Sequence, residues 1–236
     1  MTRLQRAFAA SALVATCCNA VATDVATASL PSDIADATVQ VAQRRLHLPA
    51  GHWVLVAREE VETVGSRGRT GTGLQVWVAR ADGGPLGALL KLSLPQQEFH
   101  NAHQRSENRC PEENGIQRVD LSPNPALPEC LGVYGHRDLL QAMATRSPAV
   151  SAWMANAQVA NPGAMVRFTY RQRTDFGYGG ISLFLPTAHF DSDDAAAAWA
   201  RRLREACRPL FEGRVWDADL PAPPALVSEA DGTPAN

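Results

Sequence analysis

The sequence is short of three things: lysine, long apolar runs, and any diagnostic catalytic spacing. Of its 22 basic residues only Lys91 is a lysine, the other 21 being arginine. Such a preference, beside abundant alanine, reads first as GC-rich coding. It also supplies guanidinium forks that can grip carboxylate or phosphate in two places at once. No strong basic excess accompanies it, since the formal net charge of the 236-residue chain is −2, and bulk nucleic-acid binding is not expected. The longest nearly uncharged apolar stretch, residues 7–18, is too short to span a bilayer as an ordinary helix. There is no Gly-x-Ser-x-Gly elbow, no His-Glu-x-x-His pair and no Gly-x4-Gly-Lys-Ser/Thr loop. What remains, at 45% hydrophobic and 19% charged residues, is a globular composition rather than a disordered chain or a rod.

Residues 1–22 carry the parts of a secretory signal: Arg3 and Arg6, an apolar middle, and the small-x-small triplet Ala20-Val21-Ala22. Cleavage after Ala22 is expected to start the mature chain at Thr23, in the periplasm or outside the cell. It moves the formal charge to −4, because two arginines and no acid are removed. Val14-Ala15-Thr16-Cys17 resembles a bacterial lipobox, but Thr16 stands where that motif wants Gly, Ala or Ser. Release is therefore expected over a lipid anchor at Cys17.

Cleavage leaves Cys110, Cys130 and Cys207. Cys110 and Cys130 bracket a Pro-rich segment with little periodicity. A bridge between them suits an oxidising compartment and would add about 3 kcal/mol by closing a loop of roughly 20 residues. Cys207, four residues after Leu203 and eight after Trp199, reads as a small buried hydrophobe on a helical stripe.

Along the chain, residues 33–46 have acids early and Arg44-Arg45 late, matching a helix dipole, with Ser32 as cap. Residues 52–64, 74–81 and 86–94 read as a three-strand meander. Residues 95–135 are polar and Pro-rich, with a short helix possible over 96–107. Residues 137–145 read as helical, and Ser147-Pro148 opens a further helix through Asn156. Residues 165–173 and 181–185 form a hairpin around a turn at 177–180. Ser192 caps a final helix bearing Trp199, Leu203, Cys207 and Leu210, with Pro209 at its end. The expected fold is α+β: an antiparallel sheet of about five strands with helices packed on it, a single domain over 23–216. A disordered tail is expected over 217–236.

Four groups invite a functional reading. Glu98, His100, His103 and Glu107 have metal-like spacing if helical, and a metal-assisted hydrolase using His100 and His103 is the alternative function. The Gly-rich stretch 65–73 reads as a hairpin tip rather than a phosphate cradle, because no helix follows it. Glu59, Glu60 and Glu62 sit where the first long strand turns polar. The candidate binding face is the strand 165–173. Val166, Phe168 and Tyr170 alternate with Arg167, Thr169, Arg171 and Arg173, so the apolar side must face the core while Arg167, Arg171 and Arg173 line the other side. Those arginines either pair with Glu60 and Glu62 on a neighbouring strand or receive an anion. The leading expectation is thus an exported, non-catalytic binding module, with an envelope protein or a small anionic ligand as partner and no cofactor.

Overall fold

The computed structural model describes residues 22–64, 70–80, 84–95, 117–120, 129–174 and 177–226. The strands are β1 (Thr23–Asp24), β2 (Ser32–Asp33), β3 (Thr38–Val41), β4 (Arg44–His47), β5 (Trp53–Val64), β6 (Thr70–Arg80), β7 (Ala88–Pro95), β8 (Gln117–Asp120), β9 (Glu129–His136), β10 (Met165–Thr174), β11 (Gly177–Pro186) and β12 (Asp217–Asp219). The helices are α1 (Leu139–Arg146), α2 (Pro148–Asn156) and α3 (Asp193–Phe211). The α+β class holds, with a larger sheet than the five strands expected. Eight strands run in the order β2-β5-β6-β7-β11-β10-β9-β8, every neighbouring pair antiparallel. A second sheet, β1-β3-β4-β12, lies apart from it in pairing.

Side chains alternate across the main sheet, and that alternation divides it into two unlike faces. Val76, Leu90, Leu92, Leu183, Phe168 and Tyr170 point to one face and share a core with the small sheet and with Trp199, Leu203, Cys207 and Leu210 of α3. Trp77, Leu89, Met165 and Phe184 point to the other, where Leu139 and Met143 of α1 and Val150 and Met154 of α2 cover them. A bulge in β5 between Leu55 and Ala57 shifts the phase, so that Leu55 faces α3 while Ala57 faces α1 and α2. Beyond the bulge Glu59 opposes Gln75 and shares its face.

The helix expected over 33–46 is instead the hairpin β3–β4. Val39 and Val41 are buried two residues apart and Leu46 and Leu48 likewise, which is strand period. The charge pattern that imitated a helix dipole has a tertiary origin: Arg45 Nε lies 2.6 Å from Asp217 Oδ1 in β12. Ala42, with φ of 52°, makes the reversal.

Three further differences have local causes. Residues 177–180, read as a turn, belong to β11; a Cβ on Gly179 would come within 2.7 Å of the Phe211 ring, so the glycine makes room for that ring on the sheet. Helix α3 continues past Pro209 to Phe211, which stacks on Tyr170 with ring centroids 5.7 Å apart. Strand β9, hidden beside a Pro-rich stretch, alternates buried Leu131 and Val133 toward α3 with Gly132 and Tyr134 on the far side.

Of the segment expected to be a tail, residues 217–224 make contacts with the fold, and residues 227–236 lie outside the described residues. Asp217–Asp219 pairs parallel to β4, and Leu220 is buried, its N–H donating to the His47 carbonyl at 2.8 Å. Trp199 Nε1 donates to the Ala222 carbonyl at 3.1 Å, and His189 Nδ1 donates to the Pro224 carbonyl at 2.6 Å. Acid and proline content hid a segment whose backbone serves as acceptor for buried donors. Among the described residues no helix is long and apolar enough to cross a membrane.

Candidate functional site

Helices α1 and α2 cover only part of their face of the sheet. Asp138 caps α1, its carboxylate accepting from the Gln141 N–H at 3.1 Å, and Arg146 occupies the last turn, where the helix dipole favours a cation. Ser147 and Pro148 then redirect the chain into α2, as expected from that dipeptide, although the Ser147 hydroxyl makes no capping bond. Past this corner the sheet face is left to polar residues, and a pocket of about 470 Å³ opens there.

Register places the pocket floor in three rows across the strands. Gln75 of β6, Ser93 of β7, Gly180 of β11 and Arg171 of β10 form one row. The next holds Trp77, Lys91, Ser182 and Thr169, in which the Thr169 and Ser182 hydroxyls lie 3.2 Å apart. Phe184 opposes Arg167 in the third, and Arg167 in turn opposes Tyr134 of β9. Arg146 reaches the rim from α1.

The rows explain why these residues adopt this arrangement. Arg167 is buried at 6% exposure, which a guanidinium tolerates only with good partners, and its plane lies over the Tyr134 ring at 4.4 Å. Tyr134 lies over Gly132, where any Cβ would collide with the phenol ring, so a glycine in β9 lets the ring fold down beneath the arginine. Lys91 is held over the Trp77 ring at 5.3 Å. Burial pushes its ammonium below the usual lysine range; Glu59 pulls it partly back, while Arg171 and Arg146 add to the lowering.

Four cations, Lys91, Arg146, Arg167 and Arg171, therefore line one pocket, and no carboxylate is among its described lining residues. Lys91, Arg146 and Arg171 make no ion pair with a described residue. Ser93, Ser182 and Gln75 add neutral hydrogen-bonding groups. Chemically, this is a set of donors converging on a concave, partly covered sheet face, suited to holding negative charge rather than to moving a proton.

The expected arginine row is present in part. Arg167 and Arg171 do lie opposite the core side of β10, and both line the pocket. Arg173 belongs to the same strand, but its side chain lies outside the described residues. The proposed pairing of the row with Glu60 and Glu62 does not occur through adjacency, because three strands, β6, β7 and β11, separate β5 from β10. Glu59 is the acid that acts on this site, through Lys91. Lys91 and Arg146 were not anticipated. Lys91 stood in plain view as the lone lysine between buried Leu90 and Leu92, whereas Arg146 depends on how two helices pack and has no local signature.

His100, His103, Glu98 and Glu107 lie outside the described residues, as do the helix expected over 96–107 and residues 65–69 of the glycine-rich stretch. Among the described residues no group of three or more His, Cys, Asp or Glu could hold a metal ion. Cys110 also lies outside them, and with it the expected bridge to Cys130. Cys207 is free and fully buried, and burial pushes its thiol up to about 12, which makes it a core residue and a poor nucleophile. Comparison with protein-family models, characterised proteins and solved structures finds no match to this chain, so its functional reading rests on the pocket itself.

Proposed function

We propose that this chain is an exported, non-catalytic binding module that holds an anionic ligand in the pocket beside α1. The observation that carries the reading is the convergence of Lys91, Arg146, Arg167 and Arg171 on one cavity with no carboxylate among its described lining residues. Cations so gathered repel one another, and a bound anion relieves the repulsion while accepting charge-assisted hydrogen bonds. Export is supported by the signal-like residues 1–22, with Arg3 and Arg6, an apolar middle and the Ala20-Val21-Ala22 triplet. In an oxidising compartment the Cys110–Cys130 bridge would anchor one end of β9, the strand that carries Tyr134.

Thermal-shift screening of anionic compounds tests the binding reading, because a ligand that binds only the native state raises the melting temperature by mass action. Replacement of Arg167, Arg171 and Arg173 by glutamine should abolish the shift. A shift that survives the triple replacement would move the site elsewhere. Intact-mass analysis of the exported protein should give a chain starting at Thr23; an acylated Cys17 would replace release with anchoring.

A further inference from the structure

Resting on that reading of the pocket, we infer that Lys91 is a reversible covalent anchor. Its amine condenses with the carbonyl carbon of a small aldehyde or ketone whose anionic group, carboxylate or phosphate, is held by Arg171 and Arg146. Placement is the first argument. The chain has 21 arginines and one lysine, and that lysine stands in the pocket. An arginine fork grips an anion more firmly than an ammonium does, but a guanidinium keeps its proton and is no nucleophile. A lysine nitrogen can shed its proton and then offers a lone pair to a carbonyl carbon. Among the basic side chains of this sequence, only the one at position 91 brings that chemistry.

The surroundings of the nitrogen are the second argument. Lys91 is half-buried between buried Leu90 and Leu92, with its nitrogen 5.3 Å from the centroid of the Trp77 ring. It makes no ion pair or hydrogen bond with a described residue. An ammonium partly stripped of water and left unpaired is poorly stabilised, whereas a neutral amine loses little there. Burial is the largest influence lowering its proton affinity; Arg171 of β10 and Arg146 of α1 add to it, and Glu59 of β5 opposes them. Desolvation beside other cations is a known way for a lysine to become nucleophilic near neutral pH. The same two guanidiniums that bear on the amine are the groups that would hold the ligand's anionic end next to it. Ser182 opposes Lys91 in register on β11 and lines the pocket, a hydroxyl placed to donate to a carbonyl oxygen.

The step balances without oxidant or cofactor. The neutral amine attacks the carbonyl carbon, a C–N bond forms, and a nitrogen-bound proton passes to the carbonyl oxygen to give a carbinolamine. That oxygen then leaves as water with the second nitrogen proton, and an imine remains. Addition of water reverses the sequence and returns the same molecule, so the chain captures its ligand without converting it.

Cyanoborohydride reduces an imine to a stable secondary amine, and peptide mapping locates it. At pH 7 an ordinary lysine has roughly a few hundred times less free amine than a chain's α-amino group, so the α-amine of the native protein serves as an internal reference. With glyoxylate or glycolaldehyde phosphate as probe, Lys91 should be labelled at least as fast as the α-amine; the faster probe assigns carboxylate or phosphate. Relative to the α-amine, neutral propionaldehyde should label Lys91 at least about tenfold more slowly, the difference expected for one charged contact. Tripolyphosphate, which has no carbonyl, should bind and protect Lys91. Arg171→Gln should slow the anionic probes about tenfold, and Arg201→Gln/Arg202→Gln, exposed on α3, should change no rate. Labelling of the α-amine alone, with tripolyphosphate still bound, would overturn covalent capture and leave the anion site standing. Equal labelling of Lys91 by all three aldehydes would overturn the anionic class of the carbonyl compound. Tripolyphosphate that neither binds nor protects would overturn the anion site itself.

Discussion

The two faces of β10 treat charge in opposite ways. Toward α3, charges are matched: Arg204 Nε reaches Glu129 Oε1 at 2.6 Å, and Glu212 receives Arg208 and Arg214, each at 2.8 Å. Tyr170 joins this set, its hydroxyl 3.0 Å from Glu129 Oε1 and 2.7 Å from Gln172 Oε1, and burial beside Glu129 pushes its proton affinity well above the ordinary range. Gln172 Nε2 donates to Glu212 at 2.9 Å and closes the network. Toward α1, Lys91, Arg146 and Arg171 gather with no carboxylate among the described lining residues. Where this protein uses arginine to fasten a helix to a sheet, it supplies the acid. The face where, among the described residues, it does not is the one that carries the pocket.

That contrast is broken most severely on the α3 side. Trp199→Ala removes a ring packed 4.7 Å from Phe168 and 6.3 Å from Phe190, together with the donor to Ala222. The expected loss is about 3–5 kcal/mol by urea denaturation; a loss below about 1 kcal/mol would make α3 peripheral. Glu129→Gln should cost about 2 kcal/mol, since Arg204 and Tyr170 lose a charged acceptor. On the α1 side the expectation reverses. Arg171→Gln should change stability by less than about 0.5 kcal/mol, because relief of repulsion offsets the lost packing, while anion binding suffers.

The smallest effect concerns pH. Burial holds the folded Lys91 pKa below its unfolded value, so between the two values the unfolded state carries more protons. Stability of the native protein relative to Lys91→Met should therefore rise as pH climbs through that window. Anion affinity should fall over the same range, because the ammonium loses its charge. A flat pH dependence of both would detach Lys91 from the site.

Much of this organisation was legible in the chain because it depends on local pattern. The alternation of 165–173 assigned Val166, Phe168 and Tyr170 to the core and Arg167 and Arg171 to the opposite face, and the stripe of α3 is buried as its spacing requires. Pattern failed where tertiary partners decide. Arg44-Arg45 imitated a helix end, but Asp217, 172 residues away from Arg45, is the acid that uses it. Strand β9 was masked by neighbouring prolines, and residues 217–226 by a composition that suits disorder until buried donors such as Trp199 Nε1 need carbonyls. The arginine row was visible; the pocket was not, because it requires α1 to stop at Arg146 and a bulge in β5 to turn Glu59 toward Lys91's face.

The most direct test of the two-face account is a melting curve for the native chain and for Arg146→Gln/Arg171→Gln, each with and without tripolyphosphate at matched ionic strength. The account predicts that both proteins melt together when no anion is present and that only the native chain is stabilised when tripolyphosphate is added. Equal stabilisation of both, or a variant that melts far below the native chain without the anion, would contradict it and assign the arginines to structure.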